Sequence, residues 1–279
     1  VVFVTACAAS LGLAFLFQGT VERPRRTGGV AVLVAVLVAV LLAHGAAPLF
    51  TLRVFWMAAL ILFAMGAVDD LLVLSPTTKL AVQVAAAGLF VGFTSRGTWG
   101  GELELVLGAA AFPVWIFWLV GITNAVNLLD NIDGLTAATG LAAALCLLWL
   151  GIGADWVLWP LAGALAGLLC LNGHRARIYL GDSGSHLLGF SLAALPFFGL
   201  PLERIWIPVL VLAVPIVDTT YVTVARWRRG VSPFQGGKDH LSHRLLRGGW
   251  PGWLVWSASA GVTLVMAGGA AAIEALLRS

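Results

Sequence analysis

Asp69 and Asp70 stand side by side at the end of an apolar run, and Leu74-Ser75-Pro76-Thr77-Thr78-Lys79 follows them. Adjacent carboxylates repel, so one needs a raised pKa or a nearby cation. That suits a base or a metal partner; a solvated acidic loop is the plainer alternative. A second cluster, Asn124, Asn127, Asp130 and Asp133, recurs every three residues and ends at Gly134. If helical, these four make one polar stripe. The third is Asn172, then Tyr179-Leu180-Gly181-Asp182-Ser183-Gly184-Ser185. Small residues let backbone approach a ligand, and the N-terminus of the following helix favours anions. Asp182 beside such a phosphate site suits a Mg²⁺ ion, which takes one or two carboxylates and completes its shell with water and substrate phosphates. His186, one turn on, reads as a packing or hydrogen-bonding residue. The fourth is Asp218-Thr219-Thr220, followed by Arg226, Arg228, Arg229 and a loop carrying Lys238, Asp239, His240, His243 and Arg244. Cations and histidines in one loop suit phosphate or sugar recognition. Zinc at His240 and His243 is disfavoured, because no further ligand accompanies them at the right spacing.

The elements that must position these residues are apolar. Of 279 residues, 60% are hydrophobic and 10% charged, whereas a soluble domain carries about 25% charged residues. Such a chain has the bilayer as its solvent, and the runs are too long and uniform for barrel strands. The expectation is an all-α, polytopic integral membrane protein, one domain over 1–279, with about ten transmembrane helices of roughly 20 residues each. They are placed at 1–18, 30–44, 51–68, 79–95, 103–122, 135–151, 156–171, 184–200, 205–224 and 251–272. Val1 to Phe17 is read as the first span rather than a signal peptide, since no basic segment precedes it. Ser75-Pro76 suits the cap and first turn of the fourth. Cys7, Cys146 and Cys170 lie inside apolar runs and match no ligand or disulfide spacing.

With the first residue outside, one set of loops holds twelve cations (Arg23, Arg25, Arg26, Lys79, Arg175, Arg177, Arg226, Arg228, Arg229, Lys238, Arg244 and Arg247) against four opposite (Arg53, Arg96, Arg204 and Arg278). That bias places the first set in the cytoplasm. Asp69, Asp70, Asp130, Asp133, Asp182, Asp218 and Asp239 fall on or near the same face, so a polar site is expected at the cytoplasmic membrane surface. The net charge of +3 is modest and does not point to nucleic acid.

In order and spacing, the paired Asp, the Asn-x-x-Asn-x-x-Asp-x-x-Asp-Gly run, Gly-Asp-x-Gly-Ser and Asp-Thr with its Arg- and His-bearing loop resemble the polyprenyl-phosphate N-acetylhexosamine-1-phosphate transferases, of the glycosyltransferase family 4 type, over about residues 20–250. The resemblance implies transfer of a hexosamine 1-phosphate from a UDP-sugar to undecaprenyl or another polyprenyl phosphate, with release of UMP. It further implies a plasma (inner) membrane location, Mg²⁺ with Mn²⁺ as an alternative, and a homodimer. Asp69 resembles the residue proposed to deprotonate the lipid phosphate, with Asp70 beside it, and Asp182 the metal-binding Asp. Asn127, Asp130, Asp133, Asn172 and Tyr179 resemble the nucleotide and active-site shell, and His240, His243 and Arg244 the sugar-recognition loop. Lys79, Asn124, Asp218 and Lys238 complete the expected substrate contacts. Arg25-Arg26-Thr27-Gly28-Gly29 resembles a loop that helps hold phosphates. Two departures stand out: Asn131 where many relatives have Gly, and His-x-x-His-Arg where the muramoyl-pentapeptide branch has adjacent histidines. The second tilts the reading from UDP-MurNAc-pentapeptide towards UDP-GlcNAc, and so towards priming of a wall polymer or surface glycan. A transporter is the competing class, but such sites lie near the bilayer midplane between repeated halves, and no repeat is visible.

Overall fold

Uniformly apolar segments in lipid must satisfy their backbone internally, and helix is the state that does so. The computed structural model describes residues 1–18, 25–94, 107–198, 200–232 and 237–278. Among these the regular elements are helical: α1 (Val2–Phe17), α2 (Gly28–His44), α3 (Ala47–Thr51), α4 (Arg53–Leu72), α5 (Pro76–Thr94), α6 (Ala111–Leu129), α7 (Leu135–Trp149), α8 (Asp155–Asn172), α9 (Gly181–Ala194), α10 (Trp206–Val211), α11 (Ala213–Arg228), α12 (Leu241–Arg247) and α13 (Gly252–Arg278).

Each of the ten expected stretches holds a helix, yet fewer have the length of a full crossing. Five among the described residues are long and apolar enough: α4, α5, α6 with the short turn before it, α8 and α13. A sixth is broken: Leu202–Val211 and α11 form a pair bent by 69°. The break falls at Leu212, whose amide bonds back to Pro208, while Pro215 lies in the first turn of α11. Proline cannot donate to the helical ladder, so a bend there is cheap. α1, α2 and α7 are apolar but shorter.

α9 is the hub. It packs against α4, α6 and α2, and every described side chain in it except Asp182 is buried. Its contact with α4 runs through Gly66, where a Cβ would lie 2.4 Å from the carbonyl oxygen of Asp182. Only a hydrogen at that position lets the two backbones meet, the small-residue packing that membrane helices favour. α1 and α2 lie along α8, and α13 lies along α7.

Candidate active site

The end of α4 carries the paired carboxylates into its last turn, and they do different things. Asp69 is buried and accepts from Lys79 Nζ at 2.8 Å and from the Leu74 amide at 2.6 Å. The chain turns at Val73, a β-branched residue at φ +53°; that region is unfavourable for such a side chain. Ser75 then caps α5 by accepting the Thr78 amide at 3.1 Å, as Ser75-Pro76 predicts. Lys79, one turn into α5, is thereby aimed back at Asp69.

Asp70 faces α9. Its two oxygens accept the amides of Asp182 at 3.0 Å and Ser183 at 3.1 Å. Gly181, at φ +74°, leaves room for this carboxylate: a Cβ there would sit 2.7 Å from its Oδ2. The sequence predicts a ligand phosphate at the N-terminus of α9. The structure instead fills those two amides with Asp70, a charge that complements the helix dipole just as a phosphate would. Arg26 lies 3.7 Å from the same carboxylate.

Asp182 therefore projects from a fixed helix start. Its carboxylate accepts from Asn127 Nδ2 at 2.9 Å and pairs with Lys79 Nζ at 3.4 Å; the carboxyls of Asp69 and Asp182 lie within hydrogen-bonding reach of one another. Asn127 also donates to Ser185 at 2.8 Å. His186 is fully buried, its Nδ1 2.6 Å from the Asp182 carbonyl, the hydrogen-bonding role expected of it. Behind this rung stands a second. Gln83, one turn beyond Lys79, exchanges two amide bonds with Asn124, at 3.1 and 2.7 Å. Motif spacing does not single out Gln83; the signal is a lone amide in an apolar span.

The expected polar stripe is only half helical. α6 stops at Leu129, so Asn124 and Asn127 share its face while Asp130 sits at the cap (ψ 56°) and Asp133 in the following turn. Gly134, at φ +78°, starts the next helix. That turn is strapped to the segment before α9: Asn172 accepts the Gly134 amide at 3.0 Å and donates to the Ile178 carbonyl at 2.9 Å, and Asp133 accepts the Ala176 amide at 3.0 Å. A parallel backbone pairing of Arg25–Gly29 with 177–180 delivers Arg26 to the same place.

Together these segments enclose a polar cavity of about 280 Å³, lined among others by Arg26, Asp70, Asp130, Asp133, Tyr179 and Asp182. Burial pushes the Asp130 carboxyl up to about 7, with the charges of Asp182 and Asp70 acting in the same direction. Burial also raises the Tyr179 phenol.

The predicted loop residues stand apart from that cavity. Asp218 is buried and accepts from His240 Nδ1 at 2.7 Å and from the Leu241 amide at 2.8 Å, fixing the start of α12. Lys238 and Arg244 are exposed. Burial, then His240 and Lys238, lowers the His243 pKa. The link to the cavity is Asn131, whose side-chain oxygen accepts from Ser242 at 2.6 Å. The departure from Gly at this position thus has a structural partner.

No group of three or more His, Cys, Asp or Glu side chains able to hold a metal occurs among the described residues. An all-protein cage is not what Mg²⁺ requires; one or two carboxylates beside an anionic substrate suffice. Asp182, with Asp69 alongside, fits that donor set.

Fold and site define a polytopic helical membrane protein with a lysine-bridged pair of carboxylates opening on a polar cavity. The chain belongs to glycosyl transferase family 4, whose family model matches residues 52–199, just over half of it. It is 33% identical over 236 residues to the "Probable undecaprenyl-phosphate N-acetylglucosaminyl 1-phosphate transferase" of Bacillus subtilis, covering 79% of this chain and 65% of that one. With the "Decaprenyl-phosphate N-acetylglucosaminephosphotransferase" of Mycolicibacterium smegmatis it shares 34% over 271 residues, covering 81% and 66%. With the "Undecaprenyl-phosphate alpha-N-acetylglucosaminyl 1-phosphate transferase" of Escherichia coli K12 the identity is 28% over 214 residues, covering 68% and 57%. The chain thus spans less than two thirds of the length of these curated relatives.

Proposed function

We propose that this protein transfers N-acetylglucosamine 1-phosphate from its UDP derivative to a polyprenyl phosphate, releasing UMP at the cytoplasmic face of the plasma membrane. The product primes a wall polymer or surface glycan. The observation that carries this reading is the Asp69–Lys79–Asp182–Asn127 cluster beside the cavity of Asp130, Asp133, Arg26 and Tyr179. The names of the relatives support the sugar and the lipid. The cationic loops around the cavity support a cytoplasmic orientation.

One diphosphate linkage is exchanged for another, so the reaction is close to isoenergetic and the protein supplies alignment and charge neutralisation. Asp182, with Asp69 beside it, would hold a Mg²⁺ ion. When bound, that ion offsets charge on the donor diphosphate and the departing UMP. Lys79 and Arg26 bring fixed positive charge to the same mouth, and Asn127 sets the rotamer of Asp182. The acceptor phosphate is already largely ionised, since its second pKa is about 6. Asp69 therefore serves mainly by holding Lys79 and by orienting the acceptor. Asp130, Asp133 and Tyr179 line the place for the nucleotide.

Purified protein given polyprenyl phosphate, UDP-N-acetylglucosamine and Mg²⁺ should release UMP, and a chelator should abolish this reversibly. Asp182→Asn should lower turnover by roughly 100-fold or more, the scale seen when a fixed electrostatic group is removed, with an unchanged melting profile. Undiminished turnover in that variant removes Asp182 from the mechanism. UDP-MurNAc-pentapeptide run in parallel tests the sugar.

A further inference from the structure

Helix α12 starts between two anchors. Asp218 of α11 takes the His240 imidazole and the Leu241 amide. One residue on, the hydroxyl of buried Ser242 donates at 2.6 Å to the side-chain oxygen of Asn131. The first anchor keeps α12 against α11; the second crosses to the turn between α6 and α7, which also carries Asp130 and Asp133. Asn131 is itself fixed, its Nδ2 donating to the Leu128 carbonyl at 2.9 Å and its backbone amide to the Leu129 carbonyl at 2.8 Å. With both ends of its side-chain amide engaged, it has one orientation. Asn131 takes part in the wall of the polar cavity, with Asp130, Ile132 and Asp133. Ser242 takes part in the wall of an apolar cavity of about 390 Å³, with Leu129, Leu135 and Val217. The bond therefore joins one cavity wall to the other.

The size of the polar cavity gives this bond a task. At about 280 Å³ it is smaller than the roughly 300–1,000 Å³ of sites that enclose a whole ligand. A nucleotide sugar seated there extends beyond it, and the wall at Asn131 is the side on which α12 lies. α12 carries His243 and Arg244, which can hydrogen-bond hydroxyl and phosphate oxygens. Resting on the transfer reading above, we propose that Asn131 and Ser242 are positioning residues for the donor. Their bond holds α12 at a fixed distance from Asp130 and Asp133, so that the cavity and α12 grip one UDP-sugar together. A contact made before binding spares the donor the cost of ordering α12. Asp182, Lys79 and Asn127 are held by bonds among α4, α5, α6 and α9, so the pair governs donor affinity rather than the chemical step.

Hydrogen–deuterium exchange on the detergent-purified protein tests this with UDP-N-acetylglucosamine and Mg²⁺ and no acceptor. In the wild type the donor should protect 130–134 and 241–247 together. In Ser242→Ala it should protect the first segment and leave the second exchanging. Ser242→Thr keeps the hydroxyl, and its methyl group has the apolar cavity to enter, so it should restore both. In UMP release, Asn131→Ala and Ser242→Ala should each raise the donor KM roughly tenfold, the scale of one net hydrogen bond. Turnover and the acceptor KM should stay near wild type, the mark of lost ground-state binding. The double variant should cost no more than either single. The proposal is overturned if donor protects only 130–134 or neither segment in the wild type, if Ser242→Ala keeps the joint protection, or if the double variant shows the sum of the singles. An effect of Asn131→Ala without one of Ser242→Ala would also overturn it, by making Asn131 a direct donor contact. Donor protection without UMP release in the wild type would instead refute the transfer reading, and the exchange arms would then decide the role of the pair by themselves.

Discussion

Asp130 shows what a buried carboxylate costs. A free Asp titrates near 3.9, and this one is held at about 7 by burial, with Asp182 and Asp70 adding to the effect. Between about pH 4 and 7 the folded chain keeps a proton that the unfolded chain releases, so stability falls as pH rises through that window and stays lower above it. Asp130→Asn removes the penalty. Because the residue keeps part of its surface, the gain is discounted to about 1–3 kcal/mol at pH 8. Thermal unfolding in detergent with a chelator present should show the variant exceeding wild type by more at pH 8 than at pH 4.5, while UMP release is lost. An equal margin at both pH values would mean that Asp130 is not held protonated. The position of Asp130 is legible in the three-residue repeat, as are Asn124, Asn127 and Asp133. What each does is not, because the repeat assumes a helix that stops at Leu129. Asp69 and Asp70 make the same point: side by side in sequence, one holds Lys79 and the other caps α9 from more than a hundred residues away.

At the scale of elements, the site is a meeting of helix ends, and its precision rests on how closely α4 approaches α9. The Gly66–Asp182 contact leaves no room for a methyl group, so Gly66→Ala must displace the start of α9 by several tenths of an ångström. That shift moves Asp182 against Asn127 and Lys79 and loosens the Asp70 cap. Overpacking of this kind costs about 1–3 kcal/mol, and misalignment at the reacting groups costs roughly 100-fold in rate. The expected result is a protein that inserts and purifies normally, melts at lower temperature and turns over at about one hundredth of the wild-type rate. Near-normal turnover would show that the α4–α9 contact does not set the position of Asp182. The sequence places Gly66 one turn before the paired Asp but carries no mark of its partner, since helix pairing in lipid leaves no hydrophobic periodicity to read. The bend of 69° at Leu212 is equally hidden, within what reads as one continuous apolar run from 205 to 224.

At the scale of the whole molecule, the cavity and helix α12 are tied together by the Asn131–Ser242 bond. A separate ionic clasp joins Arg204 to Glu274 at 2.9 Å and to the Leu150 carbonyl at 3.1 Å, binding the segment before α10 to the ends of α13 and α7. The count of cations assigns Arg204 to the face opposite the Asp182 cluster. Loops rich in Lys and Arg stay in the cytoplasm, and the proposed donor nucleotide would need its site on that side. Orientation can be tested by replacing Cys7, Cys146 and Cys170 and introducing single cysteines as Arg177→Cys and Glu203→Cys, both exposed positions. A membrane-impermeant maleimide applied to intact cells should label the second and spare the first until the membrane is permeabilised. The reverse pattern would put the Asp182 cluster on the outer surface, where no UDP-sugar is supplied, and would leave the carboxylate–lysine rung without its proposed donor.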